Sequence, residues 1–232
     1  MSEPEPSRLP AAVLWPAPTA SKPVDATIAL PGSKSITNRA LPLAALADSP
    51  TIVRGALRSR DTDLMAAGLR ALGADIDDSG DDWSVTPAAL RGPADIDCGL
   101  AGTVARFLVA ISSLARGPVR FDGDPRARER PMRPLLDGLR QLGLRVDDDG
   151  THSLPLTVFG TGELPGGQCV IDSSSSSQFV SALLLAAPRA TGAIVVRHVG
   201  SILPSLPHIE MTVAMLRSRG VVVDDSQPNT WQ

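Results

Sequence analysis

A chain of 232 residues is long enough to bury a sizeable core, as one large domain or two small ones. Its 43% apolar and 20% charged residues are ordinary for a globular protein, and a net charge of −3 supplies no basic field for nucleic acid or an anionic membrane. Two cysteines, Cys98 and Cys169, are too few for a disulfide framework and lack metal-ligand spacing, while no run approaches the roughly 20 apolar residues of a membrane helix.

In chain order, residues 1–24 are rich in proline and alanine and read as a loose leader, with Leu14-Trp15-Pro16 as its only apolar anchor. Met1–Pro10 carry acids and prolines and show no apolar signal core, so the expected location is the cytoplasm. Thr27-Ile28-Ala29-Leu30 predicts a strand, followed by the polar loop Pro31-Gly32-Ser33-Lys34-Ser35 and an apolar helix over 40–47. Pro42 falls inside that helix, where proline costs about 3 kcal/mol, so a kink or a late helix start is expected. A short strand follows at Thr51-Ile52-Val53. Next come a helix closing on Gly68-Leu69-Arg70-Ala71-Leu72-Gly73, an acidic strand end at Asp75-Ile76-Asp77-Asp78, and a strand at Trp83-Ser84-Val85-Thr86.

The same order returns twice. A strand at Ala94-Asp95-Ile96-Asp97 enters the loop Cys98-Gly99-Leu100-Ala101-Gly102-Thr103, an apolar helix covers 104–114, and a strand lies at 119–121. The second helix-end phrase is Gly138-Leu139-Arg140-Gln141-Leu142-Gly143, then Leu144-Arg145-Val146-Asp147-Asp148. In the third copy Cys169-Val170-Ile171-Asp172 enters the serine run Ser173–Ser177, a helix covers 179–187 and a strand 193–196. Its helix-end phrase is Met215-Leu216-Arg217-Ser218-Arg219-Gly220, then the expected strand Val221-Val222-Val223 and the acidic turn Asp224-Asp225. The glycines at 73, 143 and 220 recur about 70 to 80 residues apart, the size of a small α/β module, and each sits where a helix needs a left-handed C-cap. The order within each copy is β-α-β-α-β-β, so the class is α/β (α+β) with helices covering sheets. The units are expected at about 25–91, 92–166 and 167–232. Trp231-Gln232 matches the start of the strand Trp83–Thr86, and the third unit is therefore expected to be cut short.

Each opening loop delivers small residues to a helix N-terminus, whose free N–H groups and dipole suit an anion. One such loop is as well explained by helix capping; three in equivalent positions can face one centre. The first loop adds Lys34, whose ammonium can reach an anion on the loop, and Ser35 as a hydroxyl or an N-cap. Arg39 lies one turn on and can fork onto a carboxylate or phosphate, or be a solvated surface arginine. A serine run reads as a linker or, between a strand and an apolar helix, as a binding turn. Arg126, Arg128, Arg130 and Arg133 read as a solvated cluster in which Arg130 is the one candidate for a ligand, and His198 and His208 as surface or packed residues rather than general bases.

The phrase Pro31-Gly32-Ser33-Lys34-Ser35-Ile36-Thr37-Asn38-Arg39 resembles a signature of the enolpyruvyl transferase family in its shikimate branch. The resemblance continues through Leu100-Ala101-Gly102-Thr103 with Arg106, through Gly123-Asp124 to Arg130-Pro131, through Ser176-Ser177-Gln178-Phe179, and through Ser205 with Pro207-His208. It implies one domain, residues 25–232, of a two-domain inside-out α/β barrel, with the leader pairing to the other domain. It implies transfer of the enolpyruvyl group of phosphoenolpyruvate to the 5-hydroxyl of shikimate 3-phosphate, in aromatic amino acid biosynthesis, by addition and elimination without metal or organic cofactor. By position it implies phosphoenolpyruvate contacts from Lys34, Gly102, Arg130 and Gln178, with Lys34 catalytic. For shikimate 3-phosphate it implies Lys34, Ser35 and Arg39, the last two on the carboxylate, with Ser176, Ser177 and Ser205 on the phosphate and Gln178 against the ring. It implies a carboxy-terminal half that supplies the acid and base, so that this chain alone is expected to bind weakly and not to turn over, as a monomer.

Three residues depart from the pattern: Leu100 for asparagine, Phe107 for proline, and His208 for tyrosine. The UDP-aminosugar branch would carry Lys-Asn where Lys34-Ser35 stands, and usually a reactive cysteine in a later mobile loop, whereas no cysteine lies between Cys98 and Cys169. A stand-alone anion-binding module that kept the loops without the chemistry is the reading from a different class.

Overall fold

The computed structural model describes residues 15–232. The expected leader thus lies largely outside the described residues. Residues 15–30 group apart from Pro31–Gln232 and contain no helix or strand. Trp15, Val24, Ile28 and Leu30 are exposed. The strand expected at Thr27–Leu30 does not form, because an extended run becomes a strand only where a ladder takes its N–H and C=O groups, and no described ladder includes it.

In the first unit, α1 (Lys34–Ala45) starts on Ser33, whose hydroxyl accepts the Ile36 N–H at 3.4 Å. The helix therefore begins well before Pro42 and runs through it, correcting the expected late start. Pro42 lies within one turn of the helix end, where only one intrahelical donor is lost. After β1 (Thr51–Val53), α2 (Arg60–Ala71) begins with a reciprocal capping box between Ser59 and Thr62, with Asp61 and Asp63 in its first turn and Arg70 in its last. The hairpin strands β2 (Asp75–Asp77) and β3 (Trp83–Thr86) complete a sheet in the order β1-β3-β2.

The second unit is the fullest. It comprises β4 (Ala94–Asp97), α3 (Gly102–Ile111), β5 (Arg116–Asp122), the short α4 (Pro125–Arg128), α5 (Arg133–Gln141), β6 (Arg145–Asp147) and β7 (Leu156–Thr161). Strands β4 and β5 pair in parallel around α3, and the sheet order is β4-β5-β7-β6. The third unit has β8 (Gly167–Ile171), α6 (Gln178–Ala186), β9 (Ile194–His198), α7 (Leu206–Arg217) and β10 (Thr230–Trp231), in the order β10-β9-β8. Val221–Val223 was expected as a strand and is not one. The reciprocal hydrogen bonds between Asp224 and Gln232, at 2.7 and 2.9 Å, are the first that its antiparallel register makes, and the three valines precede that pair without ladder bonds.

The core gathers around three helices rather than around a sheet. Every residue from Thr103 to Ile111, from Phe179 to Ala186 and from Thr37 to Ala45 is buried, as suits the largely apolar α3 and α6, whereas α1 buries Thr37, Asn38 and Arg39 with hydrogen-bond partners. Helices α1, α3 and α6 pack on one another at the centre, with the three sheets outside. Helix α2 also lies against α3 and β4, and α5 against α6 and β8. Gly68 and Gly138 permit these approaches: a Cβ at Gly68 would stand 2.3 Å from Leu108 Cδ1, and one at Gly138 3.0 Å from Ile171 Cγ2. Gly73, Gly143 and Gly220 all have positive φ, as left-handed helix caps.

Candidate active site

The N-termini of the three central helices open on one space. A cavity of about 740 Å³ lies there. Lys34 and Ser35 reach it from the first turn of α1, Gly102 and Thr103 from that of α3, and Ser175, Ser176 and Gln178 from the serine loop and α6. Three helix N-termini around one space make a positive environment before any charged side chain is added, even with the Ile36 N–H taken by Ser33 Oγ and the Gln178 N–H by Ser176 Oγ.

The side chains extend it. Arg130 lines the cavity and donates through Nη1 to Leu100 O at 3.1 Å. Arg106 lies beneath, buried, with Nη1 donating to Gly102 O at 3.2 Å and Nη2 to Pro131 O at 3.5 Å, and with its plane over the Phe179 ring at 5.3 Å. Burial, followed by the like charge of Arg130, lowers the Arg106 guanidinium to about 10, so it remains a cation at neutral pH. Its Nε and the Oε1 of Gln178 are buried without a partner among the described residues, which leaves one donor and one acceptor uncommitted beside the cavity. Lys34 is held by Asp61 at 2.9 Å, and Arg60 by Asp124 at 3.1 Å.

Of the residues singled out by sequence, Lys34, Ser35, Gly102, Arg130, Ser176 and Gln178 share this cavity. Ser177 caps α6 from a buried position, and Ser205 is an exposed left-handed residue ahead of α7; neither lines the cavity. Arg39 is buried behind the wall. Its Nε donates to Thr212 Oγ1 at 2.7 Å, Nη1 to Ser35 O at 2.9 Å, and Nη2 to Ser181 Oγ and His208 O at 3.3 and 3.2 Å. Its cation also stacks over Phe107 at 5.0 Å, which gives that unusual residue a function in the wall. To touch a carboxylate directly, Arg39 would have to leave these partners.

Arg60, Asp61 and Arg106 line the cavity without having been assigned roles from sequence. Asp61 reads locally as a complement to the α2 dipole, and Arg60 as a solvated neighbour. Only Arg106, one turn after Gly102-Thr103 and the single charge on α3, carried a signal, since a charge buried in such a helix needs a partner.

A family model for EPSP synthase (3-phosphoshikimate 1-carboxyvinyltransferase) matches residues 18–232. The chain belongs to the EPSP synthase family. Two structures of EPSP synthase from Acinetobacter baumannii are similar to it, each with a TM-score of 0.75 and 25% identity over 88% of this chain, covering 45% and 46% of theirs. The enolpyruvyl transferase NikO from Streptomyces tendae shares the fold, with a TM-score of 0.61 and 19% identity over 86% of this chain and 46% of its own. The chain thus spans about half the length of the solved EPSP synthases it matches, and its fold is that of one domain of their two-domain architecture. Among the described residues, no helix is long and apolar enough to cross a membrane, and no three metal-ligating side chains cluster.

Proposed function

We propose that the cavity is one half of an active site that transfers the enolpyruvyl group of phosphoenolpyruvate to the 5-hydroxyl of shikimate 3-phosphate. The observation that carries this reading is the meeting of three helix N-termini with Lys34, Arg106, Arg130 and Gln178 around one space, in a chain of the EPSP synthase family. The chemistry joins two phosphate-bearing anions, and its transition state develops further charge, so fixed donors and cations are what it requires.

In this proposal Lys34, the Gly102 N–H, Arg130 and Gln178 take phosphoenolpyruvate, with Arg106 supporting them from below. Ser35 and Ser176 face shikimate 3-phosphate across the cavity, Arg39 holds the floor under Ser35, and Ser177 and Ser205, which lie outside the cavity, reach the phosphate only if their loops move onto the ligand. A second domain, carried by the other half of the family's architecture, supplies the general acid and base.

Calorimetric titration of shikimate 3-phosphate into the chain tests this, with Ser176→Ala and Arg106→Gln as controls. Saturable binding weakened by Ser176→Ala supports the assignment, and phosphate release on adding a separately produced second domain extends it to catalysis. A folded chain that binds neither substrate, with or without the second domain, overturns it.

A further inference from the structure

We infer that His198, held as a neutral imidazole, is the positioning residue that fixes the serine loop against the cavity, and that its protonation releases the loop. His198 is the last residue of β9 and pairs in parallel register with Ile171, the last of β8, so its ring lies where both post-strand loops begin. The ring is buried. Its Nδ1 is 3.0 Å from the Ser173 N–H, and its Nε2 is 2.9 Å from Ser201 O. A backbone N–H can only donate and a carbonyl can only accept. These neighbours therefore admit one state of the ring, with a bare Nδ1 and the hydrogen on Nε2.

From that bond, a short path leads to the cavity. Ser173 is fully buried and its hydroxyl has no partner, so the residue is held by its backbone alone. Its carbonyl accepts the Ser176 N–H at 3.0 Å, and Ser176 Oγ in turn accepts the Gln178 N–H at 3.2 Å. Ser176 and Gln178 both line the cavity. On the other side of the ring, the Ser201 N–H donates to Ser174 Oγ at 2.9 Å, tying the loop that leads to Ser205 onto the serine loop. One imidazole thus locks together the two loops that carry Ser176, Ser177 and Ser205.

The ionisable group facing the ring from the neighbouring strand end is Asp172, whose carboxyl is held low chiefly by the Ser174 side chain and N–H. From the segment before β10 comes only Asn229 O, on the His198 backbone N–H, and Arg197 on β9 itself is exposed. A proton added on Nδ1 would point at the Ser173 N–H, another donor, so protonation breaks that bond. Added positive charge near an anion site should by simple Coulomb attraction tighten binding. Loop release predicts the reverse, and the sign separates the two accounts.

The consequence for ligand rests on the proposed function above, whereas the consequence for the loop does not. In the free protein, imidazole nitrogen resonances should show the Nε2–H tautomer at about pH 8, and the Ser173, Ser176 and Gln178 amides should shift together as the ring titrates on acidification. In His198→Asn, whose Oδ1 keeps an acceptor near Ser173 but cannot titrate, that shared transition should vanish. Sulfate, which does not titrate in this range, should bind the native chain about fivefold more weakly at about pH 5.5 than at pH 8, the loss of about one net hydrogen bond, and equally at both in His198→Asn. An Nδ1–H tautomer or an imidazolium at pH 8, or a Ser176 amide indifferent to the ring's titration, overturns the inference. So does tighter sulfate binding in acid. Failure of shikimate 3-phosphate to bind at pH 8, with the tautomer and the coupled amide shifts intact, overturns the proposed substrate and leaves the loop lock standing.

Discussion

Lys34 Nζ and the Asp61 carboxylate meet at 2.9 Å beside the cavity, one from the first turn of α1 and the other from the first turn of α2. The pair is partly exposed, so its own contribution to stability is under about 1 kcal/mol. Its effect falls on ligands instead, because an anion must compete with Asp61 for the ammonium. Asp61→Asn should raise the affinity for inorganic sulfate about fivefold, while costing less than about 1 kcal/mol of stability through the lost helix-dipole interaction. Calorimetric titration and a denaturation curve check both; weaker sulfate binding would show that Asp61 orients Lys34 rather than occupying it.

Arg39→Ala should destabilise the chain by about 3 kcal/mol, since it removes four hydrogen bonds and the volume of a buried side chain, although Thr212 Oγ1 keeps its bonds to Ser181 Oγ and His208 O. Burial lowers this arginine to about 10, a cost tolerated only because every donor group is engaged. Arg39→Lys should recover less than half of the loss, as a point charge cannot reach all four acceptors. Urea denaturation of the three proteins measures it.

Gly102→Ala should leave the fold intact and damage binding selectively. A Cβ there would stand 2.6 Å from Arg106 Nη1 and 3.1 Å from Arg130 Nη1, both ends of long side chains that can yield without unfolding α3. Their displacement, however, moves the two guanidinia that the proposal sets against phosphoenolpyruvate. Affinity for phosphoenolpyruvate should fall about tenfold or more, with shikimate 3-phosphate affected less and thermal stability nearly unchanged. Equal losses for both substrates would argue against the division of the cavity proposed here.

Cys98 and Cys169 should be silent toward thiol reagents in the native chain and should both react after denaturation. Burial pushes their thiols up to about 12 and about 11, from an ordinary value of 9.0, by disfavouring the thiolate. The unfolded chain loses these protons first as pH rises, so the two thiols contribute stability that is full below about pH 9 and is lost progressively above it. Colorimetric thiol titration at pH 8 and denaturation midpoints between about pH 8 and 11 test the two halves of this statement.

Much of the fold is legible in local pattern. Thr51–Val53 and Trp83–Thr86 are strands at the bounds their sequence predicts, and the three glycine-capped helix ends repeat with their positive φ. Alternation and caps act over a few residues, and so can be read from them. The errors share a different cause. Thr27–Leu30 and Val221–Val223 have strand composition, yet a strand is a relation between two segments and composition names only one of them. Pro42 misled for a similar reason, since its cost depends on how far the helix extends beyond it.

For the site, the same division holds residue by residue. The loop chemistry of Lys34, Ser35, Gly102, Ser176 and Gln178 is local, and their equivalent positions in three repeats anticipate a common centre, which is where the structure places them. Asp61, Arg60 and Arg106 enter only through packing: α2 brings an acidic first turn to Lys34, and α3 presents an arginine from inside the core. Arg39 is the reverse case, a motif residue whose donors face inward. By itself the sequence determined the repeat, the three helix starts and the residue types around an anion site, because each depends on neighbours within one turn or one loop. The tertiary structure alone decided which charges face the cavity, which are spent holding its wall, and that one buried imidazole joins two loops, because those outcomes depend on groups brought together from distant parts of the chain.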